Sequence, residues 1–127
     1  MIKEDYLIRM IKDLIKTIAK FFFGSDSVTY QLPDEREYTE TDYLYQQLVD
    51  MINQGDINEA EDLLYEKLDP QNKKYLELGL DFYSKLNNLT DEYLASHNYS
   101  RDEIELGLKT LVEKSGDSGL LTLFENY

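Results

Sequence analysis

Apolar residues recur at three- and four-residue spacing along most of the chain, and this spacing places them on one face of an α-helix. Glycine, proline and capping residues divide the pattern into segments. The predicted helices cover residues 2–23, 41–54, 56–68, 70–87, 91–96 and 100–114, with a short terminal helix over 120–127. The sequence therefore predicts an all-α fold, a bundle of about six helices arranged as antiparallel hairpins.

The clearest boundary in this pattern is the stretch QGDINEA, residues 54–60. Gly55 ends one amphipathic segment, and Asp56 stands where the next helix needs an N-cap. Glu59 follows at the spacing of a capping box. Two helices must therefore turn back on each other within a couple of residues, and we expect Ala60 to be the small residue at which they approach.

The segment after this hairpin is predicted to be the central helix, because apolar residues cover most of its circumference. Asp69 and Pro70 have the pattern of an N-cap followed by a first-turn proline. Gly79 in the helix interior costs about 1 kcal/mol relative to alanine, so we expect a neighbouring helix to pack closely there. Thr90 is a candidate cap for a separate short helix, although the sequence also allows residues 91–96 to continue the central helix.

The chain divides into an N-terminal amphipathic helix over residues 1–23, a linker over 24–39 and a helical-hairpin domain over 40–127, which together form a single domain. The linker has no periodicity, and its length suits either a flexible connection or a functional loop. A short extended piece is predicted from Val28 to Leu32.

Charge is unevenly distributed along the chain. The net charge is −13, with +2 on residues 1–23 and −15 on the remainder. An acidic body repels phosphate, so we expect no nucleic-acid partner, and the acidic residues are interpreted as solvated surface rather than as a mimic of DNA. Charged residues interrupt the N-terminus where a signal peptide needs an apolar core, and cysteine is absent. These features favour a soluble, cytoplasmic protein.

Residues that carry chemistry are sparse. With no cysteine and one histidine, His97, the chain cannot form a thiolate site or a two-histidine metal motif. The position of His97 favours an imidazolium against the negative end of a short helix, or plain exposure. The pairs Glu59 with Asp62 and Glu61 with Asp62 are interpreted as solvated helix surface. We therefore expect no catalytic residue, no metal and no cofactor, and a protein that is not an enzyme.

Tyrosine is the most suggestive residue type, with eleven in the chain. Protein interfaces favour tyrosine because it combines apolar area with a polar tip. The candidate interaction surface consists of Tyr43, Tyr45, Tyr65, Tyr75, Tyr83 and Tyr93. The alternative is that most of these residues lie at the rim of the core, in place of the absent tryptophan. A shared concave face for three of them would favour a peptide-binding groove.

The hinge GDINEA resembles the turn of tetratricopeptide repeats, with Ala60 as the crossing alanine and Leu44, Leu48, Met51 and Leu64 at packing positions of the repeat. Most of the chain also resembles a family of uncharacterised bacterial proteins. The segments that carry this second resemblance are KEDYLIRMIKDLIKTIAKF, GDINEAEDLLYEKL and LDFYSKLNNLTDEYLASHNYSRDEIELGL. It implies a tetratricopeptide-like helical fold and supplies no activity.

These observations predict a protein–protein interaction module whose hairpin faces select an apolar and basic partner, or a second copy of the chain. The alternative is peripheral membrane association or homodimerisation through residues 1–23, whose lysines and phenylalanines fit an interfacial helix. An acidic body is repelled by an anionic membrane, which disfavours the membrane role. Burial of the first helix against the fourth and sixth would make one bundle, whereas a free helix would be an arm.

Overall fold

The computed structural model describes residues 2–25 and 29–115, with side chains described from residue 5 onward. These ranges contain six α-helices, a single 3-10 turn over Glu35–Glu37 and no strand, which confirms the predicted all-α bundle. The helices are α1 (Ile2–Phe23), α2 (Glu40–Asn53), α3 (Ile57–Lys67), α4 (Lys73–Asn87), α5 (Asp91–Ser96) and α6 (Arg101–Lys114). The terminal helix predicted over 120–127 lies outside the described residues.

The hairpin of α2 and α3 turns at Gly55, as its sequence predicts. Gly55 has a φ of +87°, and its N–H donates to the Ile52 carbonyl while the Asp56 N–H donates to the Met51 carbonyl. This pair of hydrogen bonds is the Schellman motif that ends many helices. Asp56 occupies the N-cap position of α3, but its side chain makes no capping hydrogen bond, so the predicted capping box with Glu59 is wrong.

Alanine at Gly55 is expected to lower the free energy of unfolding by about 1–3 kcal/mol, because an L side chain is strained at positive φ. Its Cβ would also lie less than 3 Å from the His97 imidazole. Gly24 is a matched control, since its φ is +68° and no atom lies within 4 Å of the corresponding Cβ position. Urea unfolding of both variants measures the two losses. Equal losses would contradict a close contact between the hinge and His97.

Helix α4 lies at the centre of the bundle and contacts α1, α2 and α6. Its start differs from the prediction, since the helix begins after Asn72, whose Oδ1 accepts from the Lys74 N–H at 3.0 Å. Asp69 instead accepts from the Gln71 N–H and forms part of a turn before the helix. The close approach predicted at Gly79 is confirmed, because a Cβ there would lie 2.8 Å from the Leu111 methyl carbons.

Helix α6 runs antiparallel to α4, and a buried arginine fixes the end of α4 against the start of α6. The Arg101 guanidinium donates to the carbonyls of Asn87 and Leu89 at 2.7 Å each and to Asp91 Oδ1 at 2.8 Å. The Thr90 hydroxyl accepts from the Tyr93 N–H and starts α5. Thus α5 is a separate helix rather than a continuation of α4.

Helix α1 packs on α4 and α6 through its apolar face. The buried residues of this face are Met10, Ile11, Leu14, Ile15, Ile18 and Ala19. Near the N-terminal end of this apolar face, Asn87 Nδ2 of α4 donates to the Ile8 carbonyl of α1 at 3.0 Å. The exposed outer face carries Arg9, Lys12 and Lys16. The apolar face that a membrane or a second copy would need is therefore covered by the chain's own helices.

The described part of the segment between α1 and α2 is held against the bundle by Tyr30. The buried Tyr30 ring stacks on Tyr45 with centroids 4.5 Å apart, and its hydroxyl donates to Asp42 Oδ1 at 2.7 Å. Burial and the Asp42 carboxylate raise the pKa of Tyr30. Burial opposes ionisation of Asp42, but hydrogen bonds from Thr39 and Tyr30 outweigh it and lower the pKa of Asp42.

Candidate functional site

The six tyrosines predicted as an interaction surface lie in several different places. Tyr43 is 59% exposed on α2, whereas Tyr75 at the start of α4 is largely buried beside it. Tyr45 is half-buried beneath Tyr30. Tyr65 and the fully buried Tyr83 belong to a polar cluster between α3, α4 and α6. Tyr93 lies between α5 and the hinge. Two of the six therefore line one common groove.

That groove, here called the Tyr43 groove, has a volume of about 320 Å³. Its lining residues are Glu40, Tyr43, Leu44, Gln47, Lys67 and Tyr75. The Tyr43 ring also meets the Tyr38 ring edge to face, with centroids 5.1 Å apart. The exposed Tyr43 ring therefore packs against Tyr38 on one side. On the other side it borders the groove, whose apolar floor consists of Leu44 and Tyr75.

A second concavity of about 600 Å³ adjoins the Tyr43 groove and shares Glu40 and Tyr75 with it. Its wall includes Pro33 from the segment before α2 and Asp69 from the turn before α4. The exposed acidic side chains of the two concavities are Glu37, Glu40 and Asp69, against the lysines Lys67 and Lys74. The combined surface is therefore long, mixed in polarity and weakly acidic.

Tyr93 and His97 hold α5 against the hinge. The Tyr93 hydroxyl donates to the Ile52 carbonyl at 2.9 Å, and its ring lies 4.4 Å from the His97 ring. His97 Nδ1 lies 2.8 Å from the Tyr93 carbonyl at the end of α5. The expected position of His97 at the helix end is found, but the residue is half-buried against Gly55 rather than exposed.

A polar cluster joins α3, α4 and α6 around Glu61. The Tyr83 and Tyr99 hydroxyls both contact Glu61 Oε2, the latter at 3.0 Å. The Tyr65 hydroxyl lies 2.9 Å from the Tyr83 hydroxyl and 2.8 Å from the Gly107 carbonyl. A groove of about 200 Å³ between α3 and α6 opens onto this cluster, and its lining includes the Glu61 and Tyr65 side chains.

The interpretation of Glu61 as solvated surface is therefore wrong. Burial raises its pKa, and the nearby carboxylates of Glu103 and Asp62 add to the rise, while the Tyr83 and Tyr99 hydroxyls oppose it. Asp62 itself and Glu59 are exposed, as the sequence predicts. Burial of Glu61 depends on aromatic side chains from α4 and from the start of α6, which the pattern of α3 alone does not show.

Tyr30 and Tyr99 are two buried tyrosines that the sequence interpretation did not single out. Tyr99 has a detectable signal, because it directly precedes the Ser100 N-cap, where an apolar residue often packs on the first turn of the helix. Tyr30 has no such signal, since it lies in an aperiodic segment. Both side chains are nevertheless buried in the core.

In residues 2–25 and 29–115, no three histidine, aspartate or glutamate side chains are grouped so that they could hold a metal ion. Within the same ranges, no helix has the length and apolar character needed to span a bilayer.

Comparison with known proteins identifies a family for the chain. No match was found among curated proteins or solved structures. A family model, described as a family of unknown function, matches residues 1–116. Because this match covers most of the chain, the protein belongs to the DUF6483 family of unknown function.

Proposed function

We propose that this protein is a non-enzymatic interaction module that binds a basic protein segment in the Tyr43 groove. The observation that carries the proposal is the exposed Tyr43 ring at the mouth of a groove floored by Leu44 and Tyr75. Tyrosine is one of the residue types that most often contribute a large share of the binding energy in protein interfaces. The resemblance of the α2–α3 hairpin to tetratricopeptide repeats supports the same mode of action by analogy of fold.

Charge supports a basic partner. Glu40 and Lys67 line the Tyr43 groove, Glu37 and Asp69 line the adjoining concavity with Lys74, and the whole chain carries a net charge of −13. Such a field attracts cationic segments from a distance and repels anionic ones. An apolar side chain of the same segment would cover Tyr43, while lysine or arginine side chains meet the acidic side chains. Binding should consequently weaken as salt concentration rises.

The alternative role of α1 in membrane association or homodimerisation has less support. From residue 5 onward, the buried side chains of its apolar face pack on α4 and α6, and its exposed side carries Tyr6, Phe21 and the basic side chains. A membrane helix needs a continuous apolar face for insertion. We therefore assign the interaction to the Tyr43 groove rather than to α1.

The replacement of Tyr43 by alanine is expected to weaken partner binding at least about tenfold, which corresponds to about 1.4 kcal/mol. A display library of random peptides is selected on the full-length protein, and the affinities of the enriched peptides are measured for the wild type and the variant. Enriched sequences should be basic and carry an apolar residue.

Tyr6→Ala is the matched control, because Tyr6 is 54% exposed but lies on α1, away from the groove. Its affinity for the same peptides should equal that of the wild type. Peptides that bind Tyr43→Ala as well as the wild type, or a library in which acidic peptides are enriched, would contradict the proposal.

A further inference from the structure

The cluster around Glu61 contains more contacts than its tyrosines have hydroxyl hydrogens. Four contacts join Glu61 Oε2, three tyrosine hydroxyls and the Gly107 carbonyl. Burial raises the pKa values of Tyr65, Tyr83 and Tyr99, so these residues stay neutral and supply three hydrogens. An ionised carboxylate only accepts, and with Glu61 ionised one of the four contacts has no hydrogen.

Protonation of the Glu61 carboxylate supplies the hydrogen that the fourth contact lacks. Tyr99 then donates to Glu61, Glu61 donates to Tyr83, Tyr83 donates to Tyr65, and Tyr65 donates to the Gly107 carbonyl. We propose that Glu61 is protonated in the folded bundle, and that its ionisation breaks this chain and releases the contact between Tyr65 on α3 and Gly107 on α6. The cluster is thus a protonation switch between two helices.

When Glu61 ionises, the hydrogen bond that is lost is the one from Tyr65 to the Gly107 carbonyl. The reason is that an ionised carboxylate is the strongest hydrogen-bond acceptor in the cluster. Ionised Glu61 takes the hydrogens of Tyr83 and Tyr99 in charge-assisted hydrogen bonds. The Tyr83 oxygen then needs a donor, and only Tyr65 in the cluster can supply it. Tyr65 and Gly107 both line the groove of about 200 Å³ between α3 and α6. Ionisation should therefore loosen the wall of this groove.

The charged groups around Glu61 favour its protonated form. Asp62 on α3 and Glu103 on α6 are both acidic, while α4 and the residue before Ser100 present the hydroxyls of Tyr83 and Tyr99. No lysine or arginine is among the described residues that line the groove. Burial and these carboxylates together outweigh the two hydroxyls and raise the pKa of Glu61.

The sign of the pH dependence follows from this rise. A folded-state pKa above the unfolded value means that folding takes up a proton between the two values. The stabilising contribution of protonated Glu61 is complete below the unfolded value and is lost as pH increases through the folded value. The contribution of Asp42 to stability depends on pH in the opposite direction. Because folding lowers the pKa of Asp42, its stabilising contribution is present at higher pH and is lost as pH falls through the folded value.

The test compares the wild type with Glu61→Gln across about pH 4 to 8, using urea unfolding. Glutamine carries donor hydrogens at every pH. The unfolding equilibrium constant of the wild type, relative to the variant, should rise with pH by up to about tenfold per unit within the titration window, and then level off. Glu66→Gln, which removes an exposed carboxylate of the same helix outside the cluster, is the control and should not reproduce this rise.

Carboxyl carbon NMR of the wild type gives a second measurement that does not depend on the variant's folding. Glu61 should titrate at higher pH in the folded protein than in the urea-unfolded protein, and the Gly107 amide region should shift with the same midpoint. A folded-state Glu61 midpoint equal to or below the unfolded one, or a constant stability ratio in Glu61→Gln, would overturn the switch.

Discussion

Replacement of Arg101 by methionine is expected to lower the free energy of unfolding by about 2–4 kcal/mol, because it removes a buried donor from the backbone carbonyls of Asn87 and Leu89. Arg101 is 6% exposed and holds the Asn87 and Leu89 carbonyls together with the Asp91 carboxylate. Methionine has a similar length but no donor, so the hydrogen bonds from Arg101 to Asn87, Leu89 and Asp91 are lost. Urea unfolding at constant pH measures the loss.

Arg36→Met is the matched control for this experiment. Arg36 also pairs with an aspartate, Asp34, at 3.2 Å, but its side chain is almost fully exposed. Exposed ion pairs contribute little to stability because solvent screens them. A loss in Arg101→Met no larger than that in Arg36→Met would show that the connection between α4 and α6 does not depend on the arginine.

Replacement of Ile11 by alanine is expected to cost about 2–5 kcal/mol, the range for removing a large aliphatic side chain from a packed core. Ile11 is completely buried where α1 packs on α4 and α6. Lys16→Ala on the exposed side of the same helix should change stability by less than about 0.5 kcal/mol. Thermal and urea unfolding of the full-length variants provide the comparison. A loss in Ile11→Ala as small as that in Lys16→Ala would mean that α1 does not belong to the core.

The parts of the fold that the sequence predicted are those determined by neighbouring residues. Gly55 ends α2 through hydrogen bonds that span a few positions. The predicted start of the sixth helix at residue 100 is fixed by a capping box between Ser100 and Glu103. A local signal was misleading at the start of α4, where two candidate capping residues lie three positions apart. Asp69 and Pro70 predicted a helix start, but Asp69 accepts from the Gln71 N–H in a turn, and Asn72 caps α4 instead.

The clusters were not predictable because their members are far apart in the chain. Glu61 is buried by Tyr83 and Tyr99, which are 22 and 38 positions away. The periodicity of α3 correctly places Ala60 and Leu64 in the core, but it gives no information about hydroxyls that other helices bring to Glu61. The burial of Tyr30 was equally unpredictable, because Tyr30 lies in the aperiodic segment and its hydrogen-bond partner Asp42 lies 12 positions later on α2. Contacts of this kind require the tertiary arrangement.

The tyrosines that were predicted to form an interaction surface show the same limit of prediction from sequence. Tyr43 and Tyr83 were both predicted to lie at an interface, yet Tyr43 is exposed and Tyr83 has no exposed surface. Side-chain type alone cannot separate an interface tyrosine from a core tyrosine whose hydroxyl is hydrogen-bonded. The position of Gly107 decides the outcome for Tyr83, because the absence of a Cβ there leaves room for the phenol ring.

Binding of a partner in the Tyr43 groove can be located directly by NMR. Amide spectra of the full-length protein are recorded during titration with a basic peptide enriched on it. Shift changes are expected to concentrate in residues 37–47 and 67–75 and to be lost in Tyr43→Ala. Shift changes concentrated on the outer face of α1, around Arg9, Lys12 and Lys16, would contradict binding in the groove.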